Sequence, residues 1–230
     1  DLFGEVYVGR APAETISELA NFVKKTLAYA NSNDPYLLKV SMAGEYLDYG
    51  IHSYAKTMLE QNRLGGTYDG FFTESFGNHT RGDVPELDIS HNLYDQDSTW
   101  SKSDFADLVN NGVHIINGLG HANETRVYKM NVPDIPMFTN SLYCFMYSQA
   151  CENGAFDFND CWAEEAVAMP YGPFAAVMNV RFGWGEPNTS YCPSNRFNRE
   201  FWNSVFAEGK MELGKANQDG KEALAWDING

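Results

Sequence analysis

Two residues in this chain could together attack a carbonyl group. Cys151 follows an apolar run that closes in Ser148-Gln149-Ala150, and His121 follows another, Val113-His-Ile-Ile-Asn-Gly-Leu-Gly120. A cysteine is a nucleophile only as its thiolate, so it needs a nearby imidazole to take the proton. The tetrahedral oxyanion that follows needs backbone donors aimed at it. Small residues close to each group, Ala122 after His121 and Gly154 after Cys151, leave backbone N–H groups accessible. Alone, a cysteine after an apolar run is most often core packing. A histidine in the same position of a second run gives Cys151 its chemical reading. A serine hydrolase is a poor fit, because the chain has no GxSxG elbow.

The two runs read as short, buried, parallel strands, rich in β-branched or aromatic residues and punctuated by small ones. Thirty residues separate His121 from Cys151, enough for a loop and a neighbouring strand. Open α/β sheets place their sites at the carboxyl ends of the strands. Adjacent strands would therefore bring thiol and imidazole to one sheet edge. Further strands are expected at residues 5–8, 36–42, 71–72 and 174–180. A helix over 15–30 has Thr15 as N-cap and carries Ile16, Leu19, Ala20, Val23 and Leu27 at helical spacing. Another passes through Phe105, Leu108 and Val109, capped by Ser101 or Ser103 and stopped by Asn110-Asn111-Gly112. Residues 51–59, 161–168, 198–206 and 215–225 also read as helical, and 77–100 as a polar loop. This alternation implies an α/β chain folded as a three-layer α/β/α sandwich around a mostly parallel sheet. Without repeats or a linker, residues 1–230 read as one domain. The chain starts directly at a strand-like segment, Gly4-Glu-Val-Tyr-Val-Gly9, as a piece processed or excised from a longer precursor would.

Composition narrows the function classes. An apolar fraction of 43% with 14% aromatics excludes disorder. No stretch approaches the 18 or so consecutive apolar residues of a membrane span. Sixteen Lys and Arg against 31 Asp and Glu give a net charge of −15, which disfavours nucleic acid as a partner. Acidity suits a cation or a cationic substrate instead. Four cysteines are too few for a disulfide scaffold in a chain this long, although Cys161 and Cys192 could pair. No CxxC is present to suggest structural zinc. His114 lies inside its apolar run and reads as packing; His52, His79 and His91 show no ligand spacing. The loop Tyr94-Asp-Gln-Asp97 offers oxygen ligands of the kind calcium takes.

Gly120-His121 after one apolar run and Gln149-Ala150-Cys151 after the next, histidine first, resemble the paired signatures of the caspase–gingipain clan of cysteine endopeptidases. The pattern Ala150-Cys151-x-Asn153-Gly154 is similar to the gingipain branch in particular. So are the opening Val8-Gly9-Arg10-Ala11-Pro12 before a helix, residues 111–121, the strand at 174–179 and the Trp184 loop. The resemblance covers nearly the whole chain. It implies a caspase-like fold, with Cys151 as nucleophile and His121 as general base, then as acid toward the leaving amine. The N–H groups of Cys151 and Ala122 would form the oxyanion hole. An acidic residue that orients the histidine is implied just past an earlier strand; Glu45 fits, with Asp48 the alternative. The resemblance further implies a protein or peptide substrate cut after arginine or lysine, Trp184 as a pocket wall, and a secreted or surface location. The chemistry would need no cofactor, with calcium in a structural role. One departure matters: the family usually has glycine directly after the histidine, and here Ala122 narrows the approach to the N–H. That keeps a second reading alive, a catalytically silent relative acting as a surface binding or adhesion module.

Overall fold

The computed structural model describes residues 4, 6–48, 53–68, 70–74, 76–77, 79 and 81–225. Helix α1 (Ile16–Ala30) opens with a capping box between Thr15 and Glu18. A 3-10 turn, Pro35–Leu38, follows, its first turn held by the Asp34 side chain. Strand β1 (Val40–Gly44) therefore begins later than the apolar run at 36–42 predicts, because Pro35 and the Asp34 cap favour a tight helical turn. Helix α2 (Lys56–Leu64) leads into β2 (Gly66–Tyr68) and β3 (Phe71–Thr73), an antiparallel hairpin apart from the main sheet. Next come β4 (Leu93–Tyr94), α3 (Lys102–Asn110, capped by Ser101) and β5 (Ile115–Leu119). A second hairpin, β6 (Arg126–Val127) and β7 (Met130–Asn131), precedes β8 (Phe145–Ser148). The chain closes with α4 (Trp162–Ala168), β9 (Ala175–Met178), α5 (Pro193–Phe206) and α6 (Leu213–Ala223).

The main sheet has the order β4-β1-β5-β8-β9, every neighbouring pair parallel. Its side chains alternate between two cores, as a pleated strand requires. Val40, Met42, Phe145 and Tyr147 pack with Met58 and Leu59 of α2 and with Phe201, Trp202 and Phe206 of α5. Ala43, Ile116 and Met146 pack the opposite way, onto Phe105 and Val109 of α3 and Trp162 of α4. Each buried Val, Leu, Ile, Met or Phe side chain among them contributes about 1.5–3 kcal/mol. The result is the three-layer α/β/α sandwich expected from the alternation of elements.

Several local expectations are corrected. Residues 6–8 form no strand and their side chains are exposed, while Glu5 lies outside the described residues. Helix α1 turns its apolar stripe outward, with Ile16 89% and Leu27 56% exposed, and buries Lys25 instead. It docks by its polar side: Lys25 donates to the carbonyls of Ala166 and Tyr171, and Asn21 donates to that of Ala168. The second helix begins at Lys56; residues 51 and 52, including His52, lie outside the described residues. The loop at 77–100 contains β4, an edge strand of two residues, too short for periodicity to show. Helix α5 starts at Pro193, ahead of residue 198, with proline in the first turn where its missing N–H is harmless. Cys161 and Cys192 are both free thiols.

Candidate active site

The parallel sheet brings the ends of β1, β5 and β8 to one edge, and each ends one residue or a few before a residue singled out from the sequence. In the ladder Gly118 of β5 lies opposite Ser148 of β8. His121 and Cys151 each stand three residues beyond that pair, past the carboxyl ends of two adjacent strands. Glu45 follows β1 directly and hydrogen-bonds to the end of β5, its own N–H donating to the Leu119 carbonyl at 3.0 Å.

Cys151 is half-buried on a tight turn. Glu152 after it has φ of 57°, a left-handed conformation that costs a non-glycine residue about 1–2 kcal/mol. Two hydrogen bonds hold that turn to the segment after β9: Glu152 N–H to the Arg181 carbonyl at 3.0 Å and Gly154 N–H to that of Asn179 at 2.9 Å. The Gly183 N–H points at the Cys151 sulfur, 3.3 Å away. Gly183 must lack a side chain, because a Cβ there would run into the Gln149 carbonyl. Trp184 comes next, pinned through its backbone N–H to Ser194 Oγ at 2.8 Å, and the residue is 65% exposed. Neither the Cys151 N–H nor the Ala122 N–H has a partner among the described residues.

His121 is exposed, whereas Ala122 is half-buried against the core on the α3 and α4 side. The Glu45 carboxylate is buried and accepts from the His121 backbone N–H at 3.4 Å, so it grips the loop that carries the imidazole. Gly120 makes room for it; a Cβ there would lie 2.5 Å from the Glu45 carboxyl carbon. Burial pushes Glu45 up to about 7, opposed by the His121 N–H and by the charges of Lys129 and Arg126. Asp48, the alternative, is exposed and accepts from the Tyr46 hydroxyl, while Glu45 meets His121 at the backbone N–H.

His114 is fully occupied. One ring nitrogen lies 2.7 Å from the Leu37 carbonyl and the other 2.8 Å from the Tyr29 hydroxyl. Since a carbonyl can only accept, Nδ1 carries the proton and Nε2 accepts from Tyr29. The residues of the expected calcium loop are engaged elsewhere: Asp95 pairs with Lys129 and Asp97 with Lys56. Among the described residues no three His, Cys, Asp or Glu side chains gather to hold a metal ion. This loop therefore does not fit calcium as it stands.

The hairpin at 126–131 was not visible in the sequence. Its turn residues, Tyr128 and Lys129, have φ of 53° and 60°, positions that glycine or asparagine usually fill. Tyr128 donates to the Tyr147 carbonyl at 2.9 Å, and its ring occupies the space above Gly118. The spacing of Gly118 and Gly120 was the available signal, since both glycines are cleared for side chains from other elements.

A parallel sheet with helices on both faces and a thiol at its carboxyl edge defines the class: a caspase-like α/β/α fold of the cysteine-peptidase kind. The sequence matches peptidase family C25 over residues 1–229, and the chain belongs to that family. The fold is similar to the crystal structure of the Arg-specific cysteine proteinase gingipain R (RgpB), with a TM-score of 0.68 and 18% identity over 99% of this chain and 51% of that one. A complex of the Porphyromonas gingivalis RgpB pro- and mature domains gives 0.70 and 19%, over 99% and 53%. The chain thus spans about half the length of these structures. No curated protein matches it.

Proposed function

We propose that the chain is a cysteine endopeptidase domain that cuts peptide bonds through a Cys151–His121 dyad. In this reading His121 takes the Cys151 proton and the thiolate adds to the scissile carbonyl. The N–H groups of Cys151 and Ala122 bind the oxyanion, and His121 returns the proton to the amine as the C–N bond breaks. Water then hydrolyses the thioester, its proton passing to His121 and on to the departing thiol. Membership of family C25 supports the reaction class. The observation that supports the residue assignment is the β5–β8 register, since His121 and Cys151 each follow the Gly118–Ser148 pair by three residues and two N–H groups beside them are uncommitted.

The substrate is a protein or peptide, cut after arginine or lysine in the finer form of the proposal, with Trp184 walling the primary pocket. A net charge of −15 favours approach of basic segments and speaks against nucleic acid. The chemistry uses no cofactor. Among the described residues no helix is long and apolar enough to cross a membrane, and we place the protein outside the cell or on its surface by the gingipain likeness. Cys151→Ala compared with wild type on a mixed peptide library tests the chemistry: all cleavage should vanish, and unchanged cleavage overturns it. Fluorogenic peptides test specificity, where preference for apolar or acidic residues would end the basic assignment.

Two observations favour a second reading, a silent relative that binds without cutting. Ala122 replaces the family's glycine, and the His121 imidazole has no hydrogen-bond partner among the described residues. Iodoacetamide separates the two: a working dyad makes Cys151 the fastest of the four thiols near neutral pH, and a silent one does not.

A further inference from the structure

Cys151 sits in a turn whose two legs are both bound to one residue, Asn179. Strands β8 and β9 run parallel as far as the pair Ser148–Met178. The chain after β9 runs on as residues 179–183, while the chain after β8 bends at Cys151 and returns beside it. Asn179 Nδ2 donates to the Gln149 carbonyl on the outgoing leg at 2.8 Å. The Asn179 backbone carbonyl accepts from the Gly154 N–H on the returning leg at 2.9 Å. Every second residue of the segment then faces the turn. The Arg181 carbonyl takes the Glu152 N–H at 3.0 Å, and the Gly183 N–H lies 3.3 Å from Cys151 Sγ. That alternation is the period of an extended chain. The Cys151 S–H faces the Gly183 carbonyl across a longer 3.9 Å. The shorter contact is the one made by the N–H, and a donor aimed at sulfur favours the thiolate over the thiol.

We propose that Asn179 is a positioning residue for the nucleophile: by binding both legs of the turn it keeps Cys151 Sγ against the Gly183 N–H. The inference rests on the reading of Cys151 as the nucleophile. The groups concerned meet at one point, since a Cβ on Gly183 would lie 2.4 Å from the Gln149 carbonyl oxygen and 3.4 Å from Asn179 Nδ2. The amide therefore fastens the outgoing leg where it passes the residue that supplies the donor. Arg181 and Asp157 also pair across the same gap, but both side chains are exposed and such a pair adds little. Asn179 is half-buried, so its amide bond is shielded from competing water as theirs is not. Without the Nδ2 bond the Gln149 leg is free to part from the segment, and the sulfur loses its fixed donor.

The rate of Cys151 alkylation by iodoacetamide at one pH near neutrality tests this without a substrate, the other three thiols being buried. Asn179→Ala should slow it about tenfold, the low end for losing a hydrogen bond to an anion. Asn179→Leu keeps the volume without the donor, should slow the reaction equally, and replaces Asn179→Ala should that variant not fold. On a peptide that the wild type cuts, kcat should fall with KM unchanged, because the contact is to the sulfur and not to the substrate. Asp157→Asn removes only the exposed pair and should leave both rates alone. An alkylation rate in the Asn179 variants equal to that of wild type overturns the inference, whether or not Tm falls. Equal slowing in Asp157→Asn overturns it too, by placing the effect on general docking of the segment. Failure of the underlying dyad shows separately, as hydrolysis that survives Cys151→Ala.

Discussion

At the scale of single residues, the glycines of the histidine strand carry the sharpest expectations. Gly118→Ala sets a methyl group into the Tyr128 ring. Overpacking of that sort typically costs about 1–3 kcal/mol, so its urea midpoint should fall well below that of wild type. Gly9→Ala, where nothing lies within 4 Å, is the control and should leave the midpoint alone. Equal effects at both positions would contradict the packing described for the hairpin. His121→Ala should lower kcat/KM by about 10²–10⁴-fold, the range of a general acid–base group, with Tm unmoved because the side chain is exposed. A loss of both together would point to a structural histidine instead.

At the scale of elements, α1 and the end of β1 each bury a charge-bearing group, and the two respond to pH in opposite senses. Burial pulls Lys25 down to about 7 and pushes Glu45 up to about 7. Between about 7 and its unfolded pKa near 10.4, Lys25 is protonated only in the unfolded chain, so stability rises with pH there. Between about 4.3 and 7, Glu45 keeps its proton only when folded, so stability falls with pH there. Together they place a shallow minimum in the urea midpoint near neutrality. Lys25→Met should flatten the alkaline arm and Glu45→Gln the acidic one; arms unchanged by these substitutions would refute the assignment. The amphipathic pattern of α1 showed that it is a helix and where it starts, at Thr15, but suggested the wrong buried side. Periodicity records which residues share a face, not which face meets the sheet. The histidine and cysteine strands were legible because buried parallel strands are continuous apolar runs. The contacts of Lys129 with Asp95 and of Gly183 with Cys151 were not, since each joins distant parts of the sequence.

At the scale of the whole molecule, the net charge of −15 makes an electrostatic prediction that separates approach from chemistry. For basic peptides kcat/KM should fall between about 20 and about 300 mM salt, as screening shortens the reach of the protein's field. For neutral peptides of equal length it should stay flat. Parallel salt curves would mean that charge plays no part in substrate capture. The four cysteines lead to a laboratory consequence. All are unpaired, three of them buried, and no cystine links distant parts of the chain. Dithiothreitol should therefore leave the melting curve in place while it rescues any sulfenate formed at Cys151, so that activity lost to air oxidation comes back without refolding.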